Sequence, residues 1–170
     1  MAHQRMRRLP AWGRVLVLIC VLPLLAGCGL RIPSDPDGTL DRVTDGTLRV
    51  GVSPNGEFTQ VDGDEVSGTE AELVERFAAE LHADVAWTVG SEESLIRELD
   101  RGGLDLLIAG FTDTTPWSED AGMTRPYAEF TDQDGARHKL VMLVPLGENA
   151  FLSELETFLT EAAEASGSAP

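Results

Sequence analysis

Between residues 47 and 109 the chain alternates between two hydrophobic periods, and this limits its fold more than any other feature. Residues 47–53 (TLRVGVS) put Leu48, Val50 and Val52 on one face, the period of a strand. Residues 68–81 then carry Leu73, Val74, Phe77 and Leu81 on one helical stripe, with Glu70, Glu72, Glu75, Arg76 and Glu80 mostly off it. Residues 84–89 (DVAWTV) return to the branched and aromatic types that suit a strand. Ser91 offers an N-cap to a helix bearing Leu95, Ile96 and Leu99, which Gly102-Gly103 stops. Residues 104–109 (LDLLIA) are almost continuously apolar, as expected of a strand covered on both faces. Strand, helix, strand, helix, strand in that order predicts a parallel sheet with right-handed crossovers. Ligands of such sheets sit beyond the carboxyl ends of the strands, where residues 53–58 and 110–116 fall.

Around this unit the punctuation is clear. Pro54, Asn55 and Gly56 end the first strand, and Val61 before Asp62-Gly63 suggests a hairpin. Ser67 is placed to cap the first helix. Residues 138–145 (HKLVMLVP) read as one apolar strand, and Asn149 as the cap of a helix with Leu152, Leu155, Leu159 and Ala162 on one side. Residues 165–170 read as a disordered tail.

The amino-terminal end is of another kind. Arg5, Arg7, Arg8 and Arg14 precede an apolar run over residues 15–25 and the small pair Ala26-Gly27, the pattern of a signal peptide over residues 1–27. The run is interrupted by Pro23 and is shorter than the roughly 20 residues a membrane span needs. Leu25-Ala26-Gly27-Cys28 resembles the lipobox of bacterial lipoproteins, which implies a lipid on Cys28 and a mature chain tethered to the outer face of the cell membrane. Two or three acyl chains, at about 0.8 kcal/mol per buried CH₂, make a stable anchor. Residues 28–46, rich in Pro, Gly, Asp and Thr, read as a flexible linker. Cleavage removes Cys20 and leaves Cys28 as the sole thiol, so no disulfide is expected; three His in the whole chain and no Cys pair give no metal cluster, and no cofactor is expected. Without the four arginines of the signal, nine basic residues stand against 29 acidic ones, a net charge of −20. That balance argues against nucleic acid as a partner and for a well-hydrated surface. The remaining 143 residues suit one domain.

Residues 48–127 resemble the first lobe of the family 3 extracellular solute-binding proteins, the amino-acid receptors of ABC importers. The resemblance is carried in order by LRVGVS, the loop aromatic Phe58, VDGDEVSGTEAELVERFAAEL, LDLLIAGFTDT and TRPYAE. The helix signature is met by Gly68, Glu70 and Glu72 and missed at Thr69. HKLVMLVPLGENAFLSELETFL is similar to the strand and helix that return to complete that lobe. The resemblance implies an α/β fold: a single periplasmic-binding-protein-like (type II) lobe, three-layer α/β/α with a mostly parallel sheet, over residues 47–164. It also implies that the second lobe is absent, since only residues 128–137 stand where it is inserted, with Asp132, Asp134 and Gly135 making a turn.

Carried over residue by residue, the family's ligand contacts fall on Phe58, on the backbone of Ala109 and Gly110, and on the Thr112 hydroxyl. The arginine that forks onto a ligand carboxylate is replaced by Trp117, which caps the half-site or marks a protein contact. The expected ligand is a small polar solute or amino acid, and the expected partner an ABC permease or a second receptor lobe supplied by another chain. Half a site implies weak binding, because these receptors close two lobes over their ligand. Two alternatives stand beside this reading. One is an interaction lipoprotein that has lost ligand binding. The other is an enzyme, for which Asp113, Glu57 and His138 are acid–base candidates without a recognisable spacing.

Overall fold

The structure is a computed structural model and describes residues 34–56 and 58–167. A short helix α1 (Thr39–Val43) leads into β1 (Thr47–Val52). The hairpin β2 (Gln60–Asp62) and β3 (Glu65–Ser67) follows, then α2 (Thr69–Glu80), β4 (Asp84–Val89), α3 (Glu92–Asp100) and β5 (Leu106–Ile108). A 3₁₀ turn (Pro116–Glu119) precedes β6 (Gly122–Met123), the hairpin β7 (Ala128–Thr131) and β8 (Arg137–Leu140), β9 (Leu143–Val144) and α4 (Asn149–Ser166).

The main sheet runs β4-β1-β5-β9-β6. Its first three strands are parallel, with Thr47 opposite Asp84 and Val52 opposite both Val89 and Ile108. β9 is antiparallel to both of its neighbours. The fold is therefore the expected α/β lobe with a mostly parallel sheet. Alternation along β1 sends Leu48, Val50 and Val52 to one face, where they meet Val74 and Phe77 of α2 and Phe151, Leu155 and Phe158 of α4. Phe77 lies edge-on to Phe151 at 5.8 Å between ring centroids. The other face belongs to α3, whose Leu95, Ile96 and Leu99 pack with Leu104, Leu107 and Leu143. Gly51 faces that side, and a Cβ there would stand 2.8 Å from Leu104 Cδ1. Its bare backbone lets α3 approach closely.

Five expectations change. The segment read as a flexible linker over residues 28–46 is structured from Ser34 onward and contains α1. Its cause is an exchange of caps: Asp35 Oδ1 accepts from Ala150 and Phe151 N–H at the start of α4, while Glu148 accepts from Asp37 and Thr39 N–H at the start of α1. The cap of α4 is thus supplied by Asp35, and Asn149 Nδ2 instead donates to the Gly147 carbonyl. The run over residues 138–145 splits into β8 and β9, which pair in different sheets. Between them Val141 N–H bonds Phe111 O, and Met142 N–H bonds Thr124 Oγ1. At α2, Gly68 (φ 110°) takes the cap position without a side-chain bond, where Ser67 was expected. Helix α4 runs on to Ser166, past the expected start of the tail. Ser91 caps α3 as expected, its Oγ accepting from Ser94 N–H at 3.4 Å.

Cys28 and the signal segment lie outside the described residues. Among those described, no helix is long and apolar enough to cross a membrane.

Candidate functional site

The two loops beyond the carboxyl ends of β1 and β5 meet where the alternation of strands and helices requires. Asn55 joins them: its Nδ2 donates to Ala109 O at 2.6 Å. Gly110 has φ 62° and no room for a side chain, since a Cβ would stand 2.7 Å from both Asn55 Nδ2 and Phe58 Cδ2. That glycine lets the Phe58 ring close on the turn. Phe58, Ala109 and Gly110 are thereby brought together. Thr112 lies two residues on, half-buried, bridged to Leu140 of the facing hairpin, with its Oγ1 3.0 Å from Thr114 Oγ1. Trp117 is placed apart on the α3 side, where its Nε1 donates to Glu92 Oε2 at 2.9 Å and its ring packs on the α3 cluster.

Phe58 does not stand free. Its ring is tilted against Phe130 of β7 at 5.0 Å, and Phe130 in turn stacks on His138 at 5.1 Å. Phe58 also lines a cavity of about 420 Å³ bounded by α2, α4 and β7, with Leu73, Tyr127, Phe130 and Leu159 among its walls. His138 Nε2 is held 2.7 Å from Asp132 Oδ2. Asp132 also accepts Asp134 and Ala136 N–H on Oδ1, and so closes the β7–β8 turn. The His138 hydrogen bond, then the backbone bond from Ala136, hold the Asp132 carboxyl below its usual range. Glu57 lies outside the described residues.

Glu70 organises this region, and the sequence reading assigned it no more than a place in the helix signature. It lies in the first turn of α2, fully buried, four residues before Val74 and seven before Phe77, on the apolar stripe rather than off it. Its backbone N–H bonds Phe58 O at 3.1 Å. Its carboxylate accepts Gly110 N–H at 2.8 Å and Tyr127 Oη–H at 2.6 Å. One residue thus fixes both candidate loops and the entry to β7. Burial pushes its carboxyl up to about 7, against the lowering pull of Tyr127 and the Gly110 amide. Burial and the neighbouring Glu70 charge also push the Tyr127 hydroxyl well above its ordinary value. The legible signal was the acid at a stripe position, since a lone carboxylate in an apolar row needs buried donors.

At the opposite edge of the sheet a second polar centre holds the strands' amino-terminal ends. Asp105, fully buried, is bound by Arg42 and Arg49. Burial resists its ionisation, but the bonds from Arg49 and Arg42 outweigh it and leave the carboxyl below its ordinary value.

Among the described residues no group of His, Cys, Asp and Glu is arranged to hold a metal ion. The chemistry on offer is recognition: an aromatic ring, an amide side chain, hydroxyls and carboxylates around a turn.

Comparison with known proteins agrees with this architecture. The model of the bacterial extracellular solute-binding proteins, family 3, matches residues 48–168. A search of curated protein sequences gives no match. Among solved structures, the arginine-bound form of domain 1 from TmArgBP, a T. maritima protein, superposes with a TM-score of 0.62 and 22% identity, over 71% of this chain and 97% of that one. A Salmonella typhimurium periplasmic binding protein described for its high arginine specificity gives 0.59 and 16%, over 70% and 93%. The L-cystine solute receptor of Neisseria gonorrhoeae, unliganded and open, gives 0.61 and 13%, over 75% and 92%. At these identities the likeness is one of fold.

Proposed function

Because the chain belongs to the bacterial extracellular solute-binding proteins of family 3, we propose that it is a lipid-anchored, extracytoplasmic receptor lobe that takes a small polar solute for ABC-type import. It binds weakly alone and more firmly against a wall lent by a second lobe or a permease. The observation that carries this reading is the β7–β8 hairpin. The chain turns back at residues 132–136, and Ala128 pairs directly with Leu140, where a second lobe would otherwise be inserted. The candidate loops are thus left with one wall, and a ligand between one wall and water keeps much of its hydration. Support that a lone lobe can hold a ligand comes from the relative above, whose domain 1 is described in an arginine-bound form. Family 3 receptors are non-catalytic, which disfavours the enzyme alternative.

A second reading, an interaction lipoprotein without ligand, draws on one further observation. The two backbone groups expected to face a ligand are already taken, Gly110 N–H by Glu70 and Ala109 O by Asn55. The test is calorimetric titration of the full chain in detergent with a panel of amino acids and their decarboxylated amines. The receptor reading expects at least one Kd between about 0.1 and 10 mM, a binding energy of roughly 3 to 5 kcal/mol, weakened by Thr112→Ala. No heat from any member of the panel overturns it and leaves the second reading.

A further inference from the structure

The two outer strands of the main sheet are finished differently. On one side β6 is two residues long, too short to template a further strand. On the other, β4 runs for six residues in one-to-one register with β1, without a bulge, a proline or a lysine, and its single charge, Asp84, stands at the first position. Among the described residues no strand lies beyond it. The bonds at its two ends show which groups are spent. Asp84 N–H donates to Gly46 O at 2.9 Å, and Gly90 N–H to Val52 O at 3.1 Å. A parallel ladder uses alternate residues, so Ala86 and Thr88 also face β1, while Val85, Trp87 and Val89 turn their N–H and C=O groups outward. The side chains of those three share one face. Val85 and Trp87 pack only in part on the cluster beneath α2, and Val89 is 51% exposed.

An unblunted edge accepts another strand, and the limits of this one select which. Its outward groups stop at both ends: Ala83 N–H is taken by Ala78 O at 2.8 Å, and Ser91 O receives Ser94 and Leu95 N–H at the start of α3. What remains is symmetric about Trp87. A second copy laid antiparallel, with Trp87 opposite its own counterpart, sets Val85 opposite Val89 and Val89 opposite Val85. Every outward N–H then meets an outward C=O. On that face apolar side chains meet apolar ones. On the other, Ala86 meets Thr88 and Asp84 meets Gly90, so no charge stands opposite a like charge. The next bonding register in either direction sets an outward group against the committed Ala83 N–H or Ser91 O. An edge that fits itself in one register meets the requirement of a two-fold interface.

We propose that the chain pairs with a second copy of itself through β4, joining two lobes in one continuous sheet about a two-fold axis at Trp87. The strands of the two copies run in opposite directions, so the loops beyond β1 and β5 open at opposite ends of the pair and neither copy closes the site of the other. Sedimentation of the full chain in density-matched detergent, with amide exchange followed at low and high protein concentration, tests it. A dimer is expected, with the Val85, Trp87 and Val89 amides exchanging more slowly as concentration rises. Val89→Lys sets a charge into the apolar pairs twice over by symmetry. With its circular dichroism spectrum unchanged, it is expected to weaken the dimer roughly tenfold or more. Leu146→Lys alters the other large apolar side chain that stands exposed among the described residues, at 58%, and is expected to leave the dimer intact. The mass of a single copy up to about 1 mM overturns the proposal. A dimer that Val89→Lys leaves as tight, or that Leu146→Lys weakens as much, uses another surface and overturns it too. So does protection of the three amides that is independent of concentration, which would mean that a segment of the same chain covers the edge.

Discussion

Glu70 joins an apolar helix face to a polar task, and the conflict sets a pH dependence. Its carboxyl titrates near 7 in the fold against an ordinary 4.5. Between those values the folded chain keeps a proton that the unfolded chain has released. The contribution of this group is therefore fully present below about pH 4.5 and is lost as pH rises through 7. The whole span amounts to at most about 3 kcal/mol. Glu70→Gln keeps an acceptor for Gly110 and removes the titration, so the difference in unfolding free energy between wild type and variant is expected to shift in the variant's favour from pH 5 to pH 8. Denaturant unfolding across that range checks it, and parallel profiles would refute it. Gly110 carries a second prediction at this scale. Gly110→Ala forces a Cβ to 2.7 Å from Asn55 Nδ2 and Phe58 Cδ2 at φ 62°. The expected cost is about 1 to 3 kcal/mol, with the Phe58 ring displaced and the response to solute lost. A variant as stable and as responsive as wild type would show that the turn tolerates a side chain.

At the scale of elements, what could be read depended on how local the cause was. β4 ends where its branched residues end, and α3 begins at its own Ser91, because both depend on neighbours in sequence. α1 was missed because five residues show no period and its amino-terminal cap is Glu148, 109 residues away from Thr39. The split between β8 and β9 was missed because an apolar run does not say which sheet each residue joins. The Glu70–Tyr127 bond spans 57 residues, and only the misplaced acid pointed to it. Asp35 is the test of the exchanged caps. Asp35→Ala removes the acceptors for Leu40, Ala150 and Phe151 N–H. It is expected to cost about 1 to 2 kcal/mol and to raise amide exchange at both α1 and the first turn of α4. Exchange rising at one helix alone would mean the two are capped independently.

For the whole molecule the anchor and the lobe have to be considered together. Cys28→Ser is expected to move the protein from the membrane fraction to the soluble extracytoplasmic fraction, and to lower solute uptake in cells, because confinement raises the effective concentration of a weak contact. Uptake unchanged by release would refute that role. The exchanged caps at Asp35 and Glu148 then acquire a mechanical meaning. They act as a clasp between the first and the last described helices, so that neither end of the lobe opens without loosening the other.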